Sequence, residues 1–163
     1  MTNPSAESAG STIFQFFVYG TLKRGECRAS MWPRVPQAIR PAFVRGQLFD
    51  LGPYPALWCG DATAVEGTAG EGADWDWIEG EVWTIAAEDM AATVRRLDQI
   101  EQTDQPGCTN EYDRILVRAH ELPGSEVSTL AFAYQYSTGQ QLPDSIRVRG
   151  RGEHRVARWP ASE

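Results

Sequence analysis

Met90, Val94, Leu97 and Glu101 are spaced four, three and four residues apart. At about 100° per residue of an α-helix, this spacing sets three apolar side chains and one carboxylate on a single stripe. Such a stripe faces a core, so Glu101 is aimed inward. The acid also falls in the last helical turn, where the backbone dipole presents its negative end. Burial and dipole both disfavour the ionised form and raise the pKa. A carboxyl tuned toward neutrality can accept a proton and return it, which is general acid–base chemistry. Asp98, turned away from the stripe, is the weaker candidate. The alternative is a helix that stops before Glu101 and leaves it a solvated loop residue.

A second group of residues suits anion chemistry. The apolar run Phe14-Gln15-Phe16-Phe17-Val18 leads into Tyr19-Gly20-Thr21-Leu22 and a polar turn ending at Gly25. A glycine where a strand leaves its sheet allows a sharp turn and a close approach to the backbone. Unpaired N–H groups there would hold a carboxylate or a developing oxyanion. The plainer reading is a first strand followed by an ordinary tight turn. Other nucleophile and ligand patterns are weak. His120 and His154 are the only histidines, and no Gly-x-Ser-x-Gly elbow is present. Cys27 follows the turn without a nearby histidine and reads as a small apolar filler rather than a nucleophile. Trp58, Trp75, Trp77 and Trp83 read as packing residues.

The totals bound the rest. A chain of 163 residues with 42% hydrophobic and 23% charged content fits one soluble globular domain. A net charge of -7 argues against general nucleic-acid or anionic-membrane binding. Three widely spaced cysteines give neither a disulfide framework nor a zinc pattern. The first ten residues lack the basic and apolar regions of a signal peptide, and no apolar run reaches membrane-spanning length. A cytoplasmic protein is the expectation.

These residues must be positioned by a sheet and one helix. Residues 1–11 read as a tail, 12–141 as the domain and 142–163 as an arginine-rich flexible tail. Strands are expected over about 13–19, 42–50, 75–85, 111–119 and 129–137, with 54–58 extended, 63–66 short and β-like, and Gly80 a possible bulge. Residues 86–101 form the one convincing helix. The glycines of 67–76 mark a surface loop. In the last strand Leu130, Phe132, Tyr134 and Tyr136 share one face, and Ala131, Ala133 and Gln135 the other. Small residues alternating with aromatics suit a tightly curved or closed sheet. Many strands and one long helix outside βαβ alternation indicate an α+β fold. The segment Arg147-Val148-Arg149-Gly150-Arg151-Gly152 resembles an arginine-glycine RNA-binding segment but reads as a solvated tail.

Taken in order, several blocks resemble the γ-glutamylcyclotransferase-like superfamily, which includes the AIG2-like proteins and γ-glutamylamine cyclotransferases. They are Tyr19-Gly20-Thr21-Leu22-Lys23-x-Gly25, then Gly46-x-Leu48-Phe49-Asp50-Leu51-Gly52-x-Tyr54-Pro55-Ala56-Leu57, then Glu79-Gly80-Glu81-Val82-Trp83. Leu97-Asp98-x-x-Glu101 follows, then Tyr112-x-Arg114 and the strand ending at Tyr134 and Tyr136. The resemblance implies a small mixed β-barrel, closed or nearly closed and flanked by helices, with the site at one end. It implies Glu101 as the catalytic acid/base and no metal or organic cofactor. It implies a small γ-glutamyl substrate held by Tyr19, Gly20, Thr21 and Leu22, with Tyr54, Tyr112 and Tyr136 around it. The reaction implied is cyclisation of a γ-glutamyl amide to 5-oxoproline; the alternative is a non-catalytic binding module for a small carboxylate metabolite. Three features depart from the family pattern, one of them the 67–76 loop, which reads as an insertion. Gln102 stands where relatives often have glycine, and the link from Glu101 to Tyr112 is long.

Overall fold

In this computed structural model the described residues are 13–60 and 74–160. The tail expected over 1–11, the short strand over 63–66 and residues 67–73 of the expected loop lie outside them. Among the described residues there are eight strands: β1 (Gln15–Val18), β2 (Ala38–Asp50), β3 (Pro55–Trp58), β4 (Asp76–Thr84), β5 (Tyr112–His120), β6 (Ser128–Tyr136), β7 (Arg147–Val148) and β8 (Val156–Ala157). The helix α1 (Met90–Glu101) lies between β4 and β5, preceded by a 3₁₀ turn over Ala87–Asp89.

The strands run β2-β5-β6-β1-β4, and β4 pairs again with β2, so five strands close into a barrel. The fold is α+β, a small mixed barrel with one α-helix among the described residues. β1 lies antiparallel to β4 and parallel to β6. β2 is long enough to change partners along its length. Its first part pairs with β4 through Gly46↔Asp76, and its last residues pair with β3 from Gln47↔Trp58 to Asp50↔Pro55. The change of partner falls at Gly46, where a Cβ would stand 2.9 Å from the Trp58 carbonyl oxygen.

Gly80 makes no bulge. It pairs with Ala42 in an unbroken ladder, and its missing side chain leaves room for the Val18 carbonyl, 2.4 Å from where a Cβ would lie. The β6 alternation sorts its two faces between two cores. Ala131 and Ala133 point into the barrel with Phe17, Val44, Leu48, Ile78 and Val117. Tyr134 and Phe132 point outward, where Leu97 of α1 packs with Phe16, Val18, Trp83 and Ile85. Small residues on the inner face are what a narrow barrel admits. Met90 and Val94 complete the helical stripe against that outer core.

The expectation of a loose segment after residue 142 does not hold for 142–160. β7 pairs with β2 and β8 with β4. Asp76 is fully buried, and its Oδ2 accepts from Arg147 at 3.1 Å and from the Gly150 amide at 3.0 Å. Arg147, with only 2% of its side chain exposed, also meets Asp74 at 2.8 Å. Arg155 reaches both acids, at 2.6 and 2.8 Å. The arginines are therefore ion-paired to the start of β4. Trp159 is buried; its indole N–H donates to Asp50 at 3.3 Å, and its carbonyl accepts from Lys23 Nζ at 2.6 Å.

Candidate active site

Helix α1 ends at Glu101 for a local reason. Gln102 turns into the left-handed region at φ 54°, and its amide donates to the Gln99 carbonyl at 3.3 Å. The Thr103 amide donates back to Asp98 at 2.8 Å, and this pair of bonds is a Schellman closure. Thr103, itself buried, donates its hydroxyl to the Tyr112 carbonyl at 2.7 Å, and the Glu111 amide donates to the Gln102 carbonyl at 3.1 Å. The helix end is thus tied to the start of β5. The backbone shape at Gln102 explains why a glycine suits the position. Gln102→Gly is expected to raise stability by roughly 1 kcal/mol, read as a melting point a few degrees higher. A lower melting point would mean that the glutamine side chain contributes more than its strained backbone costs.

Asp98 does not join Glu101. It pairs with Arg114 and accepts the Tyr134 hydroxyl at 2.6 Å, so it fastens the helix to β5 and β6.

Glu101 faces a cavity of about 150 Å³ bounded by the exit of β1, the end of α1, the start of β5 and the approach to β3. Burial raises its pKa from 4.5 to about 7; Arg28 pulls it back down and Glu111 pushes it further up. Burial is therefore the dominant cause.

The opposite wall is the turn after β1. The Gly20 carbonyl accepts from the Lys23 amide, the Thr21 carbonyl from the Arg28 amide, and the Leu22 carbonyl from the Trp32 indole. In a trans peptide the N–H points away from the carbonyl of the same plane. Fixing the Gly20 and Thr21 carbonyls into the protein turns the Thr21 and Leu22 amides the other way. Among the described residues the amides of Gly20, Thr21 and Leu22 meet no acceptor. Glu81 holds the turn down, accepting from the Arg24 amide at 2.8 Å and the Trp83 indole at 3.0 Å. Gly20 has a packing reason as well, since a Cβ there would lie 2.6 Å from the Pro55 ring.

Of the expected site residues, Glu101, Tyr19, Gly20, Thr21, Leu22, Tyr54 and Tyr112 all line this cavity. Tyr136 does not; it packs edge-on against Tyr112 at 5.3 Å, while Tyr134 of the same strand face lines the wall. Two phenols are occupied by backbone. Tyr19 donates to the Tyr134 carbonyl at 2.6 Å and accepts from the Leu57 amide. Tyr112 donates to the Pro55 carbonyl at 2.7 Å. Burial pushes both phenols well above their ordinary range, so they stay neutral and brace the walls. Cys27 is exposed, not an apolar filler, because its turn runs along the surface.

Two charged residues on the wall escaped sequence reasoning, Arg28 and Glu111. The Arg28 guanidinium lies 5.8 Å over the Tyr54 ring. The Glu111 carboxylate beside the Tyr54 hydroxyl raises that phenol's pKa. Arg28 lies in irregular chain, where periodicity gives no signal; Glu111 was detectable only as the neighbour of Tyr112.

The closed α+β barrel is a fold shared with an AIG2-like protein of solved structure. A family model described as "Gamma-glutamyl cyclotransferase, AIG2-like" matches residues 16–152, and the chain belongs to that family. A γ-L-glutamyl-butirosin B γ-glutamyl cyclotransferase of Niallia circulans is 29% identical over 128 residues, covering 77% of this chain and 69% of that protein. Among solved structures, an AIG2-like protein from Mus musculus matches with a TM-score of 0.50 and 22% identity, covering 93% of this chain and 99% of that one. YkqA from Bacillus subtilis also matches at 0.50, with 21% identity over 77% of this chain and 36% of that one. These two likenesses bear on the fold alone.

Proposed function

We propose that the protein cyclises a γ-glutamyl amide to 5-oxoproline and releases the amine. The substrate's α-amino nitrogen attacks its own γ-carbonyl carbon, a five-membered ring closes, and the bond to the leaving nitrogen breaks. Both reacting groups belong to one molecule, so the protein's tasks are to fold it and to move protons. Glu101 takes a proton from the attacking nitrogen and delivers one to the leaving nitrogen. A carboxyl at about 7 suits both halves of that exchange. The free amides of Gly20, Thr21 and Leu22 suit the negative charge that develops on the γ-oxygen. Membership of the family supports the reaction class, and the Niallia circulans relative, named for a γ-L-glutamyl substrate, supports the acyl group.

The observation that carries this reading is the shared cavity, with Glu101 on one wall and the unpartnered amide turn on the other. The test is incubation of purified protein with a panel of γ-glutamyl amides, followed by mass spectrometry. The expected result is 5-oxoproline and free amine in equal amounts. Recovery of every amide intact after long incubation, with one retained by the protein, would instead support a binding module for a carboxylate metabolite.

A further inference from the structure

We infer that Arg28 holds the substrate's α-carboxylate, so that the site takes γ-glutamyl compounds whose α-carboxylate is free and leaves the departing amine outside the cavity. This inference rests on the cyclotransferase reading above. Among the described residues Arg28 is the one cationic side chain on the cavity wall, beside two acids, Glu101 and Glu111. Its guanidinium has no carboxylate partner and no hydrogen-bond acceptor among the described residues, although it is partly buried. By contrast, Arg114 and Arg147, also inside the structure, are both ion-paired. An arginine kept unpaired next to two acids suits an anion that arrives from solution.

Its placement is fixed at both ends. The Arg28 amide donates to the Thr21 carbonyl at 2.8 Å, which ties its backbone to the amide turn. Its guanidinium rests on the Tyr54 ring face, which leaves the N–H edges available. The substrate's α-carbon carries a carboxylate and an ammonium together, so the groups that receive them must be neighbours. Arg28 and Glu101 meet this condition, since both line the same small cavity. With the carboxylate on Arg28 and the ammonium on Glu101, the γ-carbonyl folds toward the Thr21 and Leu22 amides. Those amides then serve the oxyanion rather than the carboxylate.

The volume sets the other limit. A hollow of about 150 Å³ is small beside the usual ligand pocket and holds one compact group rather than a whole γ-glutamyl amide. A glutamyl group curled toward a five-membered ring fills it. The leaving amine must project past Arg28, Tyr54 and Glu111 into solvent.

The test compares 5-oxoproline, which retains the α-carboxylate, with its uncharged carboxamide. Both are titrated calorimetrically into the full chain, as wild type, Arg28→Gln and Arg28→Lys, well below pH 7 so that Glu101 is protonated. Wild type is expected to prefer the acid by roughly 10–100-fold. Arg28→Gln should erase that preference, and Arg28→Lys should restore part of it. Matching melting points would show that the variants are folded. Because this readout needs no turnover, a wild-type protein that binds 5-oxoproline but forms none from γ-glutamyl amides would count against the cyclotransferase reading alone. A preference unchanged in Arg28→Gln would overturn the inference. So would a wild type that binds acid and amide equally, or binds neither.

Discussion

Replacing Glu101 by glutamine is expected to suppress 5-oxoproline release by roughly 10²–10⁴-fold, the usual share of a positioned acid–base group. The same variant should also be more stable than wild type above pH 7, which an ordinary active-site lesion would not predict. The sign follows from the pKa. Burial moves the Glu101 carboxyl from 4.5 to about 7 in the folded protein. Its favourable contribution to folding is full below about pH 4 and is lost as the pH climbs through 7. A shift of that size corresponds to about 3 kcal/mol at most. Glutamine has no charge to bury, so its stability curve should lack this decline. Denaturant melts of the two proteins at pH 5 and pH 8 would read the difference. Parallel curves would show that the carboxyl is well solvated, and wild-type turnover in the variant would remove Glu101 from the chemistry. In the wild type, kcat/KM should rise with pH through about 7, as the base loses its proton.

The largest loss of stability is expected far from that chemistry, at Asp76. Its carboxylate is fully buried and accepts from Arg147 and the Gly150 amide, with Arg155 at its other oxygen. Asp76→Ala leaves the buried Arg147 guanidinium short of a counter-charge. Breaking one side of a buried pair costs about 3–5 kcal/mol. Against a total of about 5–15 kcal/mol for a domain, that is a large fraction. Urea titration should show a much lower midpoint with little change in slope. A loss below about 1 kcal/mol would mean that the cluster behaves as a solvated surface network. Replacing Asp76 and Arg147 together by apolar residues of similar volume should recover part of the loss, because no charge is then stranded.

The contrast between these two acids shows what can be read from a linear chain. Glu101 was legible because its partners, Met90, Val94 and Leu97, lie within one helix and share its period. The alternation of β6 was legible for the same reason, and it separated Ala131 and Ala133 from Phe132 and Tyr134 before any sheet was known. Asp76 and Arg147 were not legible, because the charges that neutralise each other are 71 residues apart. Without its partner in view, an arginine-rich stretch resembles a solvated tail. Arg28 and Glu111 meet Tyr54 only after the barrel closes. Tyr136 was placed on the correct strand face but one step too far along it, since cavity depth depends on where the strands end. The left-handed Gln102 lay hidden because only the fold reveals its backbone angle.

The bond from Lys23 to the Trp159 carbonyl spans 136 residues and supports the amide turn. During synthesis the Phe16–Phe17 strand leaves the ribosome long before β4, β6 or Trp159 exist to receive it. Until those partners are made, the nascent chain carries an unpaired aromatic strand, the kind of segment that chaperones cover. The tie from Lys23 of the amide turn can form only once Trp159 has been made, 136 residues later, so the turn is fastened by chain that arrives long after it.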